Sequence, residues 1–294
     1  MHSSSNACGG ISLPLWILEV GDHNKDIYFG DQHGFSNEDY LTLGVDQLPL
    51  FSGRIPLQCY EDFMFNFLNK FEPLVGIVIE EISIGLGPCG ELRYPAHPFG
   101  DGRWKFPGIS EFQCYDKYLM EDLKMAALQE GKPHWGDRGP QNTCCYDSLP
   151  SEVPFFEEGG EGFQSDYGCF FLEWYSGSLI RHADAILAKA ANLLKKYQDT
   201  GYYNTALRDG YDPVASVLSR HGAGLHILCL EMTDNESPQA YLCSPEGLLQ
   251  QIWSISKKRT VDLIGTLGEM TGNVLTRLDY CKYMLTVTIH KLKL

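Results

Sequence analysis

No stretch of this 294-residue chain approaches the roughly 18 or more apolar residues of a membrane span. Its opening Met1-His2-Ser3-Ser4-Ser5-Asn6 has neither the basic nor the apolar region of a secretory signal, so no targeting segment is expected within it. Positive charge is scarce: 23 Lys and Arg stand against 38 Asp and Glu, for a formal net charge of −15. Such a surface repels phosphate backbones and anionic headgroups, which excludes sequence-independent nucleic-acid binding and anchorage on an acidic membrane. Neither nucleic acid nor membrane is expected as a partner. Cysteine is plentiful at ten residues, yet none forms a C-x-x-C pair, and H-E-x-x-H is missing. A metal site is therefore not expected, and the thiols are expected to be reduced, as in a cytosolic or plastid compartment. Internal repeats, low-complexity tracts and Gly/Ser linkers are also missing. The softest stretch, 132–168, with Gly139-Pro140, Pro150, Pro154 and Gly159-Gly160, reads as a long surface loop with short helical turns.

What is present alternates two kinds of element. Leu179, Ile180, Ala183, Ile186, Leu187, Ala190, Leu193 and Leu194 recur at three- and four-residue steps, predicting one buried helical stripe within 172–196. Asp212-Pro213 reads as an N-cap and first helical proline, opening a helix to about Arg220. Gly224 to Glu231 reads as a strand, Ser244-Pro245-Glu246 as the start of a helix to about Lys258, and Val261 to Ile264 as a further strand. Tyr60 to Phe71 has helical spacing, and the isoleucines within Gly76 to Leu86 predict a strand. Strand and helix in succession indicate an α/β fold with a parallel sheet, either an open sheet or a barrel.

Gly85-Leu86-Gly87-Pro88-Cys89-Gly90 matches G-x-G-x-x-G directly after a predicted strand. A dinucleotide loop must open into a helix whose N-terminus meets the pyrophosphate. Here Glu91-Leu92-Arg93-Tyr94-Pro95-Ala96-His97-Pro98 follows, with two prolines and no helical period, so the match is a decoy. In a barrel, the same position past a strand end is where catalytic groups sit, which singles out Glu91, with Arg93 placed to orient an acid. The plain alternative is a solvated loop glutamate paired with Arg93.

Ile84 to Pro95, Phe106 to Tyr118, Phe170 to Ser176, Gly201 to Asn204, Arg208 to Tyr211 and Cys229 to Met232 together resemble the plant β-amylase family, glycoside hydrolase family 14. The blocks keep the family's order and span about residues 8–265. The resemblance implies a (β/α)8 TIM-type barrel, here incomplete, over residues 1–265, with 266–294 as a divergent tail. It implies exo-hydrolysis of α-1,4-glucan or maltooligosaccharide with release of β-maltose by inversion, without a cofactor. Inversion needs an acid on the glycosidic oxygen and a base activating water on the opposite face, with carboxyls about 6.5–9.5 Å apart. By resemblance Glu91 is that general acid, Arg93 and His2 are substrate-binding candidates, and Glu269 is the candidate base.

The chain also departs from that pattern. The family's base ends the strand before a G-E-N-A-L run, whereas here the strand Val261-Asp262-Leu263-Ile264-Gly265 is followed by Thr266. Only a three-residue slip brings Gly268-Glu269 into place. A third register, through Gly272-Asn273-Val274-Leu275, has no acid at all. The family's inner-loop threonine falls on Leu228. Asp199-Thr200 stands where the family carries a strand with a substrate-binding lysine and an I-H-W-W-Y run. These departures fit the catalytically disabled plastid branch, which places the protein in the plastid by resemblance, or otherwise in the cytosol. Three readings stand at this point. One is a β-amylase using Glu91 and Glu269, and another is a non-catalytic glucan-binding regulator, with active starch-degrading enzymes as partners. The third is a truncated product that does not fold stably.

Overall fold

The computed structural model describes residues 13–75, 77–79, 81–98, 102–105, 108–141, 143, 145–157, 162–194, 211–228, 233, 245–266 and 285–290. Two units share the chain, one of Met1–Cys59 and Tyr94–Leu179, the other of Tyr60–Arg93 and Ile180–Leu294.

In the first unit, helix α1 (Leu15–His23) leads into an antiparallel hairpin of β1 (Tyr28–Gly30) and β2 (Ser36–Leu41). The hairpin turn is closed by Asp31, whose Oδ1 accepts the backbone N–H of His33 and of Phe35, each at 2.9 Å. Helix α3 (Lys117–Gln129) starts on Asp116, which accepts from the Tyr118 and Leu119 amides at 3.1 and 3.0 Å and from the Thr42 hydroxyl at 2.8 Å. Those donors satisfy orphan amides of the first turn. A buried aromatic cluster of Phe29, Tyr94, Phe171 and Trp174 with Leu119 and Leu123 forms the core. Tyr94 lies flat on Tyr175, with centroids 3.8 Å apart. The segment expected to be a loop with helical turns has 3-10 turns at Pro133–Gly136, Pro150–Glu152 and Pro154–Phe156.

The second unit carries most of helix α2 (Pro56–Phe71), strand β3 (Glu81–Ser83) and the later part of helix α4 (Asp166–Leu194). Then follow α5 (Asp212–His221), β4 (Gly224–Leu228), α6 (Pro245–Arg259), β5 (Leu263–Thr266) and β6 (Leu285–His290). The predicted stripe of α4 is buried at Ala183, Ile186, Leu187, Ala190 and Leu194. Strands β4 and β5 pair in parallel across α6, the strand–helix–strand unit that the hydrophobic pattern predicts. The four-stranded sheet runs β3-β6-β4-β5, and β6 is antiparallel to both neighbours. Hence β3, β4 and β5 point the same way, and their C-terminal ends share one edge of the sheet. Thr286 to His290, within the tail expected to diverge from the family, is part of this sheet.

Two local expectations change. The strand expected over Gly76–Leu86 contracts to Glu81–Ser83, because the Leu74 carbonyl gathers the amides of Ile77, Val78 and Ile79 into a turn. Asp212 is not the cap of α5 but its first residue, and Tyr211 holds the cap position without a side-chain bond. The Asp212 carboxylate instead takes Arg259, through Nε at 2.8 Å and through Nη2, with both residues buried. This pair ties the start of α5 to the end of α6, and burial makes it costly to break from one side. Asp212→Ala is expected to lower unfolding stability by about 3–5 kcal/mol, since Arg259 is left buried without its counter-charge. In urea titrations the double variant Asp212→Ala/Arg259→Met should recover most of that loss.

Candidate functional site

The loop after β3 is shaped by its glycines. The Leu86 amide donates to the Gly90 carbonyl at 3.2 Å, Gly90 to Gly87 at 2.9 Å and Glu91 to Pro88 at 3.0 Å, folding the loop back on itself. A Cβ on Gly87 would sit 2.6 Å from the Glu91 carbonyl oxygen, and one on Gly85 would lie 3.2 Å from the Gly90 Cα. Gly90 has φ +85°, a left-handed conformation that favours glycine. These glycines therefore serve close backbone approach. The single 3-10 turn Pro88–Gly90 is the only helical geometry in the loop, so nothing there presents a helix N-terminus to a phosphate.

The turn delivers Glu91 into the interior, where it is 2% exposed. Its Oε2 accepts from Arg93 Nε, and Arg93 is itself mostly buried. Two effects oppose each other at this carboxyl. Burial disfavours the charged form and raises the pKa, while the charge and hydrogen bond of Arg93 lower it. Burial prevails, so the proton is held above the ordinary glutamate range. That direction suits a group that must donate a proton near neutrality.

At the same edge of the sheet, Leu228 ends β4 and Thr266 ends β5, and the two are register partners. One is apolar and the other carries a hydroxyl that does not ionise near neutrality, so among the described residues neither strand end supplies a carboxylate. Glu91 and Arg93 are thus brought together, whereas His2 and Glu269 lie outside the described residues. Among the described residues, no group of three His, Cys, Asp or Glu side chains could hold a metal ion. No described helix is long and apolar enough to cross a membrane.

One polar network has no counterpart in the sequence reading. In the first unit the buried Glu111 accepts from Gln32 Nε2 at 2.6 Å and lies 3.1 Å from His33 Nε2, and Gln32 also donates to Thr143 at 3.0 Å. Buried Asp31 accepts from the Tyr146 hydroxyl at 2.7 Å, and Tyr146 accepts from Gln113 at 3.0 Å. Burial raises the Glu111 pKa against the donors on it. Every polar group named here has a partner, as a hairpin anchor requires. Glu111 and Gln113 lie inside the block Phe106 to Tyr118 that carries the resemblance, but nothing in their spacing marks them.

Residues 3–199 and 195–279 match the family model for glycosyl hydrolase family 14. The chain belongs to that family. It is 65% identical over 286 residues to inactive beta-amylase 4, chloroplastic, of Arabidopsis thaliana, a match that covers 87% of this chain and 54% of that protein. It is 42% identical over 292 residues to beta-amylase 1, chloroplastic, of the same plant, covering 89% of this chain and 51% of that protein. The chain thus spans about half the length of these curated relatives. A crystal structure of the catalytic domain of beta-amylase from Paenibacillus polymyxa matches with a TM-score of 0.67 at 23% identity, covering 94% of this chain and 70% of that chain. That likeness concerns the fold alone, and with the family match it assigns the chain to the α/β, TIM-type barrel class expected from the resemblance.

The opposition at Glu91 can be measured directly. In a carbon-13 titration of the side-chain carboxyls, Glu91 is expected to titrate above the ordinary value of 4.5, and Arg93→Gln should move it further up. A native state that holds this proton more tightly than the unfolded chain is stabilised most below the ordinary pKa. That stability is lost as pH rises through the raised one. Glu91→Gln should flatten this part of the stability–pH curve.

Proposed function

We propose that the protein binds α-1,4-glucan through a β-amylase-type site that retains the acid half of an inverting hydrolase and has lost the base half. Its role is then in plastid starch breakdown, with maltose release far below that of an active enzyme. The observation that carries this reading is the pairing of a buried, proton-holding Glu91 with strand ends that, among the described residues, offer Leu228 and Thr266. In the inverting reaction Glu91 would protonate the glycosidic oxygen, and Arg93 would hold the carboxyl in place and limit the rise of its pKa. Without a carboxylate on the opposite face, water is not activated and the cycle stops at binding. The names of the two Arabidopsis relatives, one inactive and both chloroplastic, support both the loss of turnover and the plastid location. A regulatory version of this role would act on active starch-degrading enzymes as partners.

A second reading makes Glu269 the base, and the burial of Glu91 favours it equally. Loss of a positioned acid or base costs about 10²–10⁴ in rate, so the two readings separate by assay. Maltose release from soluble starch is expected to fall at least about 10²-fold below that of an active family member. It should be indifferent to Glu269→Gln, while maltoheptaose still binds in a calorimetric titration. Release at the level of an active enzyme, abolished by both Glu91→Gln and Glu269→Gln, would establish the catalytic reading instead.

A further inference from the structure

A second site lies in the first unit, built from residues that are not among the expected site residues. Trp16, Glu19, Val20 and His23 fall at i, i+3, i+4 and i+7 along α1 and share one face of it. Opposite them a tight turn, with the amides of Phe51 and Arg54 bonded to each other's carbonyls at 3.1 and 3.0 Å, presents Ser52 and Arg54. Between these elements is an open depression of about 650 Å³. That is within the usual size range of small-molecule pockets, roughly 300–1,000 Å³.

The chemistry of the lining narrows the ligand. Trp16 is 44% exposed although it is a large aromatic. Its ring meets the buried Phe51 ring edge-on, with centroids 5.0 Å apart and planes at 82°. Phe51 is only 5% exposed, so the indole is braced from below by a packed side chain. A braced, half-exposed indole is a preorganised platform, and little rotamer entropy is lost when a flat apolar face stacks on it. The rim groups are exposed and of mixed kind. Arg54 is a donor only and Glu19 an acceptor only. His23 Nδ1 lies 2.8 Å from the Glu19 carbonyl oxygen, which can only accept. The proton of the neutral ring is therefore on Nδ1, and Nε2 is left as an acceptor. One cation and one anion at the rim cancel, so the site does not select a charged ligand. An apolar platform ringed by separate donors and acceptors suits a molecule with an apolar face and an equatorial belt of hydroxyls, which is a pyranose.

We propose that this depression is a second saccharide-binding site, in which Trp16 stacks on a glucosyl ring of an α-1,4-glucan and Arg54, Glu19 and His23 bond its hydroxyls. The choice of glucan rests on the proposed function, while the site itself rests on its own residues. The stacking needs no chain end and no catalytic group, so it takes internal segments of a polymer as readily as termini.

The test is a titration of the nitrogen-15-labelled chain with maltoheptaose, following the indole N–H of Trp16, assigned by its disappearance in Trp16→Phe. The Trp16 resonance is expected to shift saturably. Arg54→Ala should weaken the fitted affinity about threefold to tenfold, and Trp16→Ala about tenfold or more at this site. Near-ultraviolet circular dichroism of each variant checks that the packing around Phe51 is kept, and the exposed Arg54→Ala tests the site even if Trp16→Ala fails to fold. Saturable shifts elsewhere with a stationary Trp16 would overturn the site and leave the glucan-binding function standing. Maltoheptaose that moves no resonance would overturn both.

Discussion

A carboxylate withdrawn from water must find partners or keep its proton, and in a chain with 38 acidic residues this constraint organises the interior. Among the described residues Asp31, Glu91, Glu111, Asp116 and Asp212 are buried, and they meet the constraint in several ways. Asp212 is neutralised by Arg259, and the pair joins two helix ends. Asp31 and Glu111 accept from tyrosine, glutamine, histidine and backbone donors, and so anchor a hairpin. Asp116 accepts three hydrogen bonds at the start of α3, although burial still holds its proton to about pH 7. Glu91 differs in being delivered by a glycine-shaped turn rather than by a helix start or hairpin. Its arginine is two residues away on the same loop, which holds the carboxyl without neutralising the effect of burial.

This difference has a chemical consequence. An acid used for proton donation must hold its proton near neutrality yet release it to a developing oxygen anion. A full ion pair such as Asp212–Arg259 would keep the carboxylate ionised, whereas an isolated buried carboxyl would be expensive to ionise at all. The Glu91–Arg93 arrangement lies between these limits. Strand ends β4 and β5 show no matching provision, since a leucine and a threonine stand in register there. The loop after β3 thus sets a carboxyl to keep its proton, while the described ends of β4 and β5 carry no ionisable group.

How much of this was legible in the sequence follows the range of the interactions. The stripe of α4 and the β4–α6–β5 unit depend on local periodicity and could be read directly. The decoy at Gly85 to Gly90 was legible because prolines just beyond it forbid a helix, and Glu91 stands out through resemblance joined to its place past a strand. What could not be read depends on contacts between distant segments. Asp212 looks like a cap until Arg259 is brought beside it. The bonds Gln32–Glu111 and Asp31–Tyr146 join residues far apart in the chain and leave no period behind. The alternation of Leu285, Val287 and Ile289 announces a strand, but its place between β3 and β4 comes from pairings that no local pattern encodes. Trp16 is unmarked in the sequence, since an aromatic at helical spacing usually belongs to a core, and only its exposure and its brace on Phe51 set it apart.

A strong negative charge and a polysaccharide ligand are compatible for a simple reason. Coulombic steering acts on ions, so a chain at −15 repels nucleic acid and acidic lipid but leaves an uncharged glucan unaffected. Affinity for such a ligand must then come from short-range stacking and hydrogen bonds, which a braced indole and a mixed-charge rim can supply and which salt should hardly screen. An exo-acting site takes only chain ends, which are rare on a polymer, whereas a stacking site takes any exposed glucosyl run. On the reading proposed above, an acid-bearing site without its base, together with a stacking site in the first unit, suits a protein to staying on glucan rather than shortening it.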